Sequence, residues 1–265
     1  MKLIKAVTAV MLLLLFTSCN AADNKNVPLA DQLKKTQITV SAAASMQDAL
    51  NEIANQFAEE HPEIDVVYNF GGSGALQQQI VHGAPVDVFI SADKQKFIEL
   101  VDEQLIKEDN AAHLAGNELV IVVNSAAGIK LNGLDDLANE DVMRIGIGTP
   151  ETVPAGKYAR ESLEAAGLWN EIKGKMIPAK DVRQVLTYVE TQSVDAGLVY
   201  NTDALMSDKV NIAVTAPSGT HEPIVYPAGL LESSKHKEQS RLFLQFLQGQ
   251  KALKIFRKYG FKALD

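Results

Sequence analysis

Cysteine occurs once in the chain, at position 19, so no intrachain disulfide is available and the fold must rest on its core. The histidines at 61, 82, 113, 221 and 236 show none of the spacings that ligate a metal. They fall near expected element ends, on expected surface, which leaves a serine nucleophile without an evident base. Neither Ser45 nor Ser73 sits in a Gly-x-Ser-x-Gly elbow. The run Gly71-Gly72-Ser73-Gly74 lacks the Gly-Lys-Ser/Thr ending of a nucleotide-binding loop. There is no basic surplus: 25 Lys and Arg stand against 33 Asp and Glu, a net charge of −8, which argues against a nucleic-acid partner. Beyond the N-terminus no stretch is apolar enough to cross a membrane, and there is no internal repeat or low-complexity tract.

What is present begins with a secretory pattern. Lys2 and Lys5 precede an almost wholly apolar run, Ala6 to Phe16, too short for a spanning helix and of the length of a signal-peptide core. It ends in Phe16-Thr17-Ser18-Cys19, which looks like a lipobox, with Phe16 where Leu is commoner. Residues 1–18 are therefore expected to be a signal peptide and Cys19 a lipidated N-terminus. An ordinary signal peptide that contains a cysteine is the plainer alternative. Removing residues 1–18 takes away two lysines and no acid, moving the net charge from −8 to −10. Residues 19–36 are polar and without a sustained period, as in a flexible tether.

From Gln37 onward short apolar runs alternate with helical periods. Strands are expected at Ile38–Ala44, Ile64–Phe70, Val86–Ile90, Leu119–Val123, Arg144–Gly148, around Met176 and Ile177, at Ala196–Tyr200 and at Val210–Val214. Helices are expected from Met46 through Phe57, from Leu76, through Phe97 to Val101, over Ala155–Ala166, over Asp181–Thr191 and over Lys235–Tyr259. The alternation predicts an α/β protein of two lobes, each a mainly parallel sheet flanked by helices, with hinge crossovers near Leu119–Val123 and Ile224–Ala228. The expected boundaries are 37–118 with 228–265 for one lobe and 119–227 for the other. In open sheets of this kind ligands sit beyond the carboxyl ends of the strands.

Several predicted strands end in the same way, with a small or hydroxyl residue just before a helix. Ser45 stands where an N-cap belongs, with Asp48 three residues on; Ser73 precedes the second helix; Pro154-Ala155-Gly156 and Asp181-Val182-Arg183 open two others. Helix starts carry unsatisfied N–H groups and partial positive charge, so several facing one cleft would suit an anion despite the acidic surface. Each signal alone has a plainer reading: Ser45 with Asp48 as capping, the glycines as a tight turn, Tyr200 as core, Asp87 and Asp93 as turn caps.

The chain resembles the periplasmic molybdate-binding proteins of ABC importers over about residues 37–262. The matching stretches are Ala42-Ala43-Ala44-Ser45, Gly83 through Asp93, Val153-Pro154-Ala155-Gly156-Lys157-Tyr158-Ala159, Asp181-Val182-Arg183, Gly197-Leu198-Val199-Tyr200 with Asp203-Ala204, and Tyr259-Gly260-Phe261. The resemblance implies a type II periplasmic binding protein fold. It implies an oxyanion, molybdate or tungstate, held by the hydroxyls of Ser45, Ser73 and Tyr200 and by backbone N–H groups at Ala155 and Val182. These would touch the oxyanion, not the metal atom. It further implies no cofactor and no catalysis, a monomer, and membrane permease subunits as partners outside the cytoplasm. Ser73 is flanked by glycines where relatives carry more serines, and Lys180 stands where an acid is common. A same-fold carrier of sulfate or another small anion, a hydrolase using a cleft serine and a docking lipoprotein are the alternatives.

Overall fold

The computed structural model describes residues 35–264, so the expected signal segment, Cys19 and most of the tether lie outside the described residues. Strand β1 (Thr36–Ala43) buries Ile38, Val40 and Ala42. A tight turn, Ala44–Met46, leads into α1 (Gln47–Glu60), whose buried face is Ala49, Leu50, Ile53 and Phe57. That spacing is the apolar stripe of an amphipathic helix. There follow β2 (Ile64–Gly71), α2 (Ser73–Val81), β3 (Val88–Ile90), α3 (Lys94–Asp102) and β4 (Ile106–Gly116). Asp93 caps α3, accepting from Gln95 N–H at 2.8 Å. Asp87 accepts from Thr39 N–H and Ser234 Oγ.

The chain then enters a second sheet with β5 (Leu119–Asn124), buried at every residue. It continues through β6 (Ile145–Gly148), α4 (Pro154–Ala165), the single turn α5 (Trp169–Ile172), β7 (Met176–Ala179) and α6 (Val182–Glu190). Next come β8 (Ala196–Tyr200), the short α7 (Asn201–Ala204) and β9 (Val210–Thr215). It returns through β10 (Val225–Leu231) and ends in α8 (Lys237–Gln248) and α9 (Gln250–Lys258), a break at Gly249 dividing the single helical stretch expected there.

The strand orders are β2-β1-β3-β10-β4 and β7-β6-β8-β5-β9. Both sheets are mixed rather than mainly parallel. β1–β2, β1–β3, β6–β7 and β6–β8 are parallel, whereas β10 runs antiparallel to β3 and β4, and β5 to β8 and β9. The antiparallel members flank the two passages between sheets, where the chain arrives by a direct crossing instead of a helix-bearing crossover. Leu119–Val123 lies inside β5, paired with β8 and β9, and Val225 is already paired with Gly116 in the first sheet, so both passages precede the segments expected for them, Leu119–Val123 and Ile224–Ala228. β4 had no signature in the sequence because it is an edge strand whose first half carries the exposed, charged run Lys107 to Asp109.

One continuous core joins the inner faces of both sheets with α1, α4, α6, α8 and α9, and a smaller cluster lies under α2 and α3. Phe57 anchors the first. Its ring meets Phe243 and Phe246 edge-on at 5.1 and 5.3 Å between centroids, fixing α8 against α1. Phe57→Ala is expected to cost about 3–5 kcal/mol, read as a lowered midpoint of urea unfolding with the slope unchanged. A loss below about 1 kcal/mol would mean that the site collapses around the deletion.

Candidate functional site

The carboxyl ends of the central strands of both sheets face one another, and the turns that follow them meet. Ser45 lies in the turn after β1, Ser73 is the first residue of α2, Ala155 the second of α4, Val182 the first of α6 and Tyr200 the last of β8. All five line a single small cavity, whose wall is completed by small or apolar residues that include Ala44, Gly72, Ala92 and Val153. No charged side chain is among its lining residues.

Each contributes in its own way. Gly156 N–H closes on Val153 C=O at 2.9 Å, so Ala155 N–H stands one position ahead of its helix's own ladder. In α6 Asp181 Oδ1 takes Gln184 N–H at 2.9 Å and the Asp181 carbonyl takes Val185 N–H, leaving Val182 N–H ahead of both. α4 reaches this place only because residue 156 is glycine: a Cβ there would lie 1.9 Å from the Gly148 carbonyl oxygen. Ser73 Oγ accepts from Ala92 N–H at 2.9 Å, and Ser45 Oγ lies 3.0 Å from Tyr226 Oη. The Tyr200 hydroxyl is buried and has no hydrogen-bond partner among the described residues. Burial holds its pKa well above the ordinary phenol value, so it remains a donor.

Ser45 is not the N-cap that its position suggested. Met46 occupies that place without a side-chain cap, because the Ala44–Met46 turn delays the start of α1 to Gln47. Asp48 is therefore released from capping and pairs with Arg183 across the cleft. Ser73 is within its helix rather than in the loop ahead of it. Lys180 is exposed, its backbone N–H bonded to Gln184 Oε1.

Further contacts join the two walls. Gly74 N–H donates to the Thr152 carbonyl at 3.0 Å, and a Cβ on residue 74 would come within 2.9 Å of Thr152 Cα, so the glycines flanking Ser73 serve close approach. Tyr158 Oη donates to the Ala92 carbonyl at 3.2 Å, and Lys157 Nζ lies 3.4 Å from Asp93 Oδ1 and 3.0 Å from Glu222 Oε2. Arg183 Nε also touches buried Asp203 Oδ1 at 2.8 Å, an ion contact out of line for a hydrogen bond. Sequence reasoning saw Arg183 only as part of a helix start and missed Tyr226 and Asn117 altogether. Nothing local marks those two, since their roles arise from pairing between residues more than a hundred positions apart.

A cavity walled by helix starts and hydroxyls, set between two mixed sheets that the chain joins twice, defines a two-lobed solute-binding protein of the type II periplasmic kind. Comparison with known proteins agrees. The chain belongs to the family of bacterial extracellular solute-binding proteins, whose model matches residues 38–262. It is 46% identical over 257 residues to a Bacillus subtilis protein provisionally named the ABC transporter substrate-binding lipoprotein YvgL, covering 97% of this chain and 96% of that one. It is 39% identical over 237 residues to the Escherichia coli molybdate-binding protein ModA, covering 88% and 90%. Among solved structures it superposes on the Azotobacter vinelandii periplasmic molybdate-binding protein with a TM-score of 0.78 at 25% identity, covering 86% of this chain and all of that one.

Burial pushes the Asp203 carboxyl up to about 6, with Arg183 opposing the rise. An unfolded aspartate titrates near ~3.9. Across the interval between those values the folded state holds the extra proton, so this group's stabilisation is complete below about pH 4 and is lost as pH rises through about 6. Asp203→Asn should therefore gain thermal stability relative to the wild type as pH goes from 4 to 7. A constant offset across that range would show that Asp203 does not titrate there.

Proposed function

We propose that this protein captures a tetrahedral oxyanion, molybdate or tungstate, in the cavity between its two sheets and presents it unchanged to the membrane subunits of an ABC importer. The unpartnered Tyr200 hydroxyl carries the reading. A buried donor without an acceptor costs about 1–3 kcal/mol, and an oxyanion in this cavity supplies the acceptor. Ser45, Ser73 and the N–H groups of Ala155 and Val182 complete a set made of donors alone, which suits a ligand that has no proton to give. Two relatives carry molybdate in their names.

Helix dipoles and hydroxyls, not side-chain cations, hold the anion, and this is how an acidic protein accommodates it. On this reading the cleft serves binding without catalysis and without a cofactor, and the pairing of its serine hydroxyls with Tyr226 and with a backbone N–H, instead of a general base, supports it. Residues 37–118 with the chain from β10 onward form one lobe and the intervening segment the other. They turn about the two passages, and the anion favours the closed arrangement because only that form makes both sets of contacts. The protein works outside the cytoplasm as a monomer, tethered through lipid at Cys19, in keeping with the lipoprotein name of its Bacillus relative.

Calorimetric titration with molybdate, tungstate, sulfate and phosphate tests this directly. Tight binding of the first two and none of phosphate is expected, whereas preference for sulfate would keep the mechanism and change the cargo. Tyr200→Phe should weaken molybdate by about 1.5–3 kcal/mol, roughly tenfold to a hundredfold in Kd, without lowering the stability of the ligand-free protein. Unchanged affinity would remove Tyr200 from the site.

A further inference from the structure

Behind Ser45 runs a buried chain of hydrogen bonds whose direction is fixed from its far end. Asn117, in the first passage between the sheets, accepts Glu118 N–H on its Oδ1 at 2.9 Å. That contact orients the amide, since the flipped form would set Nδ2 against another donor. Both Nδ2 protons then have targets, Thr202 Oγ1 at 2.9 Å and Tyr226 Oη at 2.9 Å. Tyr226 is fully buried at the start of β10, just after the second passage. Its oxygen accepts from Asn117, and its single proton has Ser45 Oγ at 3.0 Å as the partner. Ser45 is thereby made to accept from the protein, which leaves its own proton for the cleft.

Resting on the proposed oxyanion site, we infer that Tyr226 and Asn117 are positioning residues that set the hydroxyl of Ser45 as a donor and so help to exclude ligands that carry a proton. Ser73 is set in the same sense by Ala92 N–H. A fully ionised dianion meets a wall of donors. Phosphate, which carries a proton in both forms populated near neutral pH, has to bury that proton against donors, and an unmatched buried polar group is penalised. Hydrogen bonds in series also polarise one another, so the last donor is strengthened by those behind it. Because Asn117 and Tyr226 stand at the two passages, and Thr202 belongs to the second sheet's side, the relay is complete only when all three meet at the point where the halves join.

The test is a double-mutant cycle read by calorimetry with molybdate at pH 7, with displacement of molybdate by phosphate as the second reading. Ser45→Ala should weaken molybdate at least tenfold and Tyr226→Phe several-fold. The double variant should bind no more weakly than Ser45→Ala alone. In Tyr226→Phe the preference for molybdate over phosphate should shrink, because Ser45 becomes free to accept. Asn117→Asp provides a second variant with the opposite polarity: it turns the donor into an acceptor, draws the Tyr226 proton away from Ser45 and should reduce the same preference. Equal losses from Tyr226→Phe with and without Ser45, or a loss that leaves the molybdate-to-phosphate ratio unchanged, would overturn the relay while leaving the site standing. An unchanged affinity in Ser45→Ala would overturn the site itself, and the relay with it.

Discussion

Buried hydrogen-bond donors that the protein itself does not satisfy are the constraint around which the rest of this structure is arranged. The Tyr200 hydroxyl lies at the inner end of β8 with no acceptor among the described residues, beside helix starts whose leading N–H groups precede their own ladders. Such groups are costly in an apolar interior and useful only where an acceptor arrives from outside. The architecture brings them together because both sheets point the carboxyl ends of their parallel strands at one place. Glycines there, Gly72, Gly74 and Gly156, let backbone approach backbone.

The charges are kept out of that cavity and used at its edges. Arg183 is held between Asp48 and Asp203, and Lys157 lies among Asp93, Glu161 and Glu222, so these two cations near the cleft are matched by acids drawn from both sides of it. These pairs join the two halves without presenting a free cation to the anion. Partly exposed pairs contribute little stability individually, so their main effect is to align the walls and favour one partner geometry. The neutral lining and the acidic whole are thus compatible. The dipoles act over the last few ångströms, and net charge acts elsewhere.

Much of this was legible in the sequence. The α/β alternation, most of the strands and the starts of α4 and α6 follow from apolar periodicity and from Pro154 and Asp181 acting as helix openers, with Gly167 just past the end of α4. Strand-end chemistry points to Ser45, Ser73, Ala155 and Val182, all of which line the cavity; Tyr200 follows from family resemblance alone, since nothing local separates it from a core tyrosine. What was not legible depended on distant pairing. β4 is polar because it is an edge, the sheets are mixed because of where the chain crosses, and Ser45 is no cap because a tight turn intervenes. Asp48 read as a capping partner and is a cross-cleft anion instead, an outcome decided by Arg183, 135 positions away.

The most direct measurement is a crystal structure of the protein with molybdate. The account predicts the anion in the cavity, its oxygens about 2.6–3.2 Å from Ser45 Oγ, Ser73 Oγ, Tyr200 Oη and the N–H groups of Ala155 and Val182, with no lysine or arginine in contact. An anion bound by a side-chain cation, or one that leaves the Tyr200 hydroxyl without an acceptor, would contradict it.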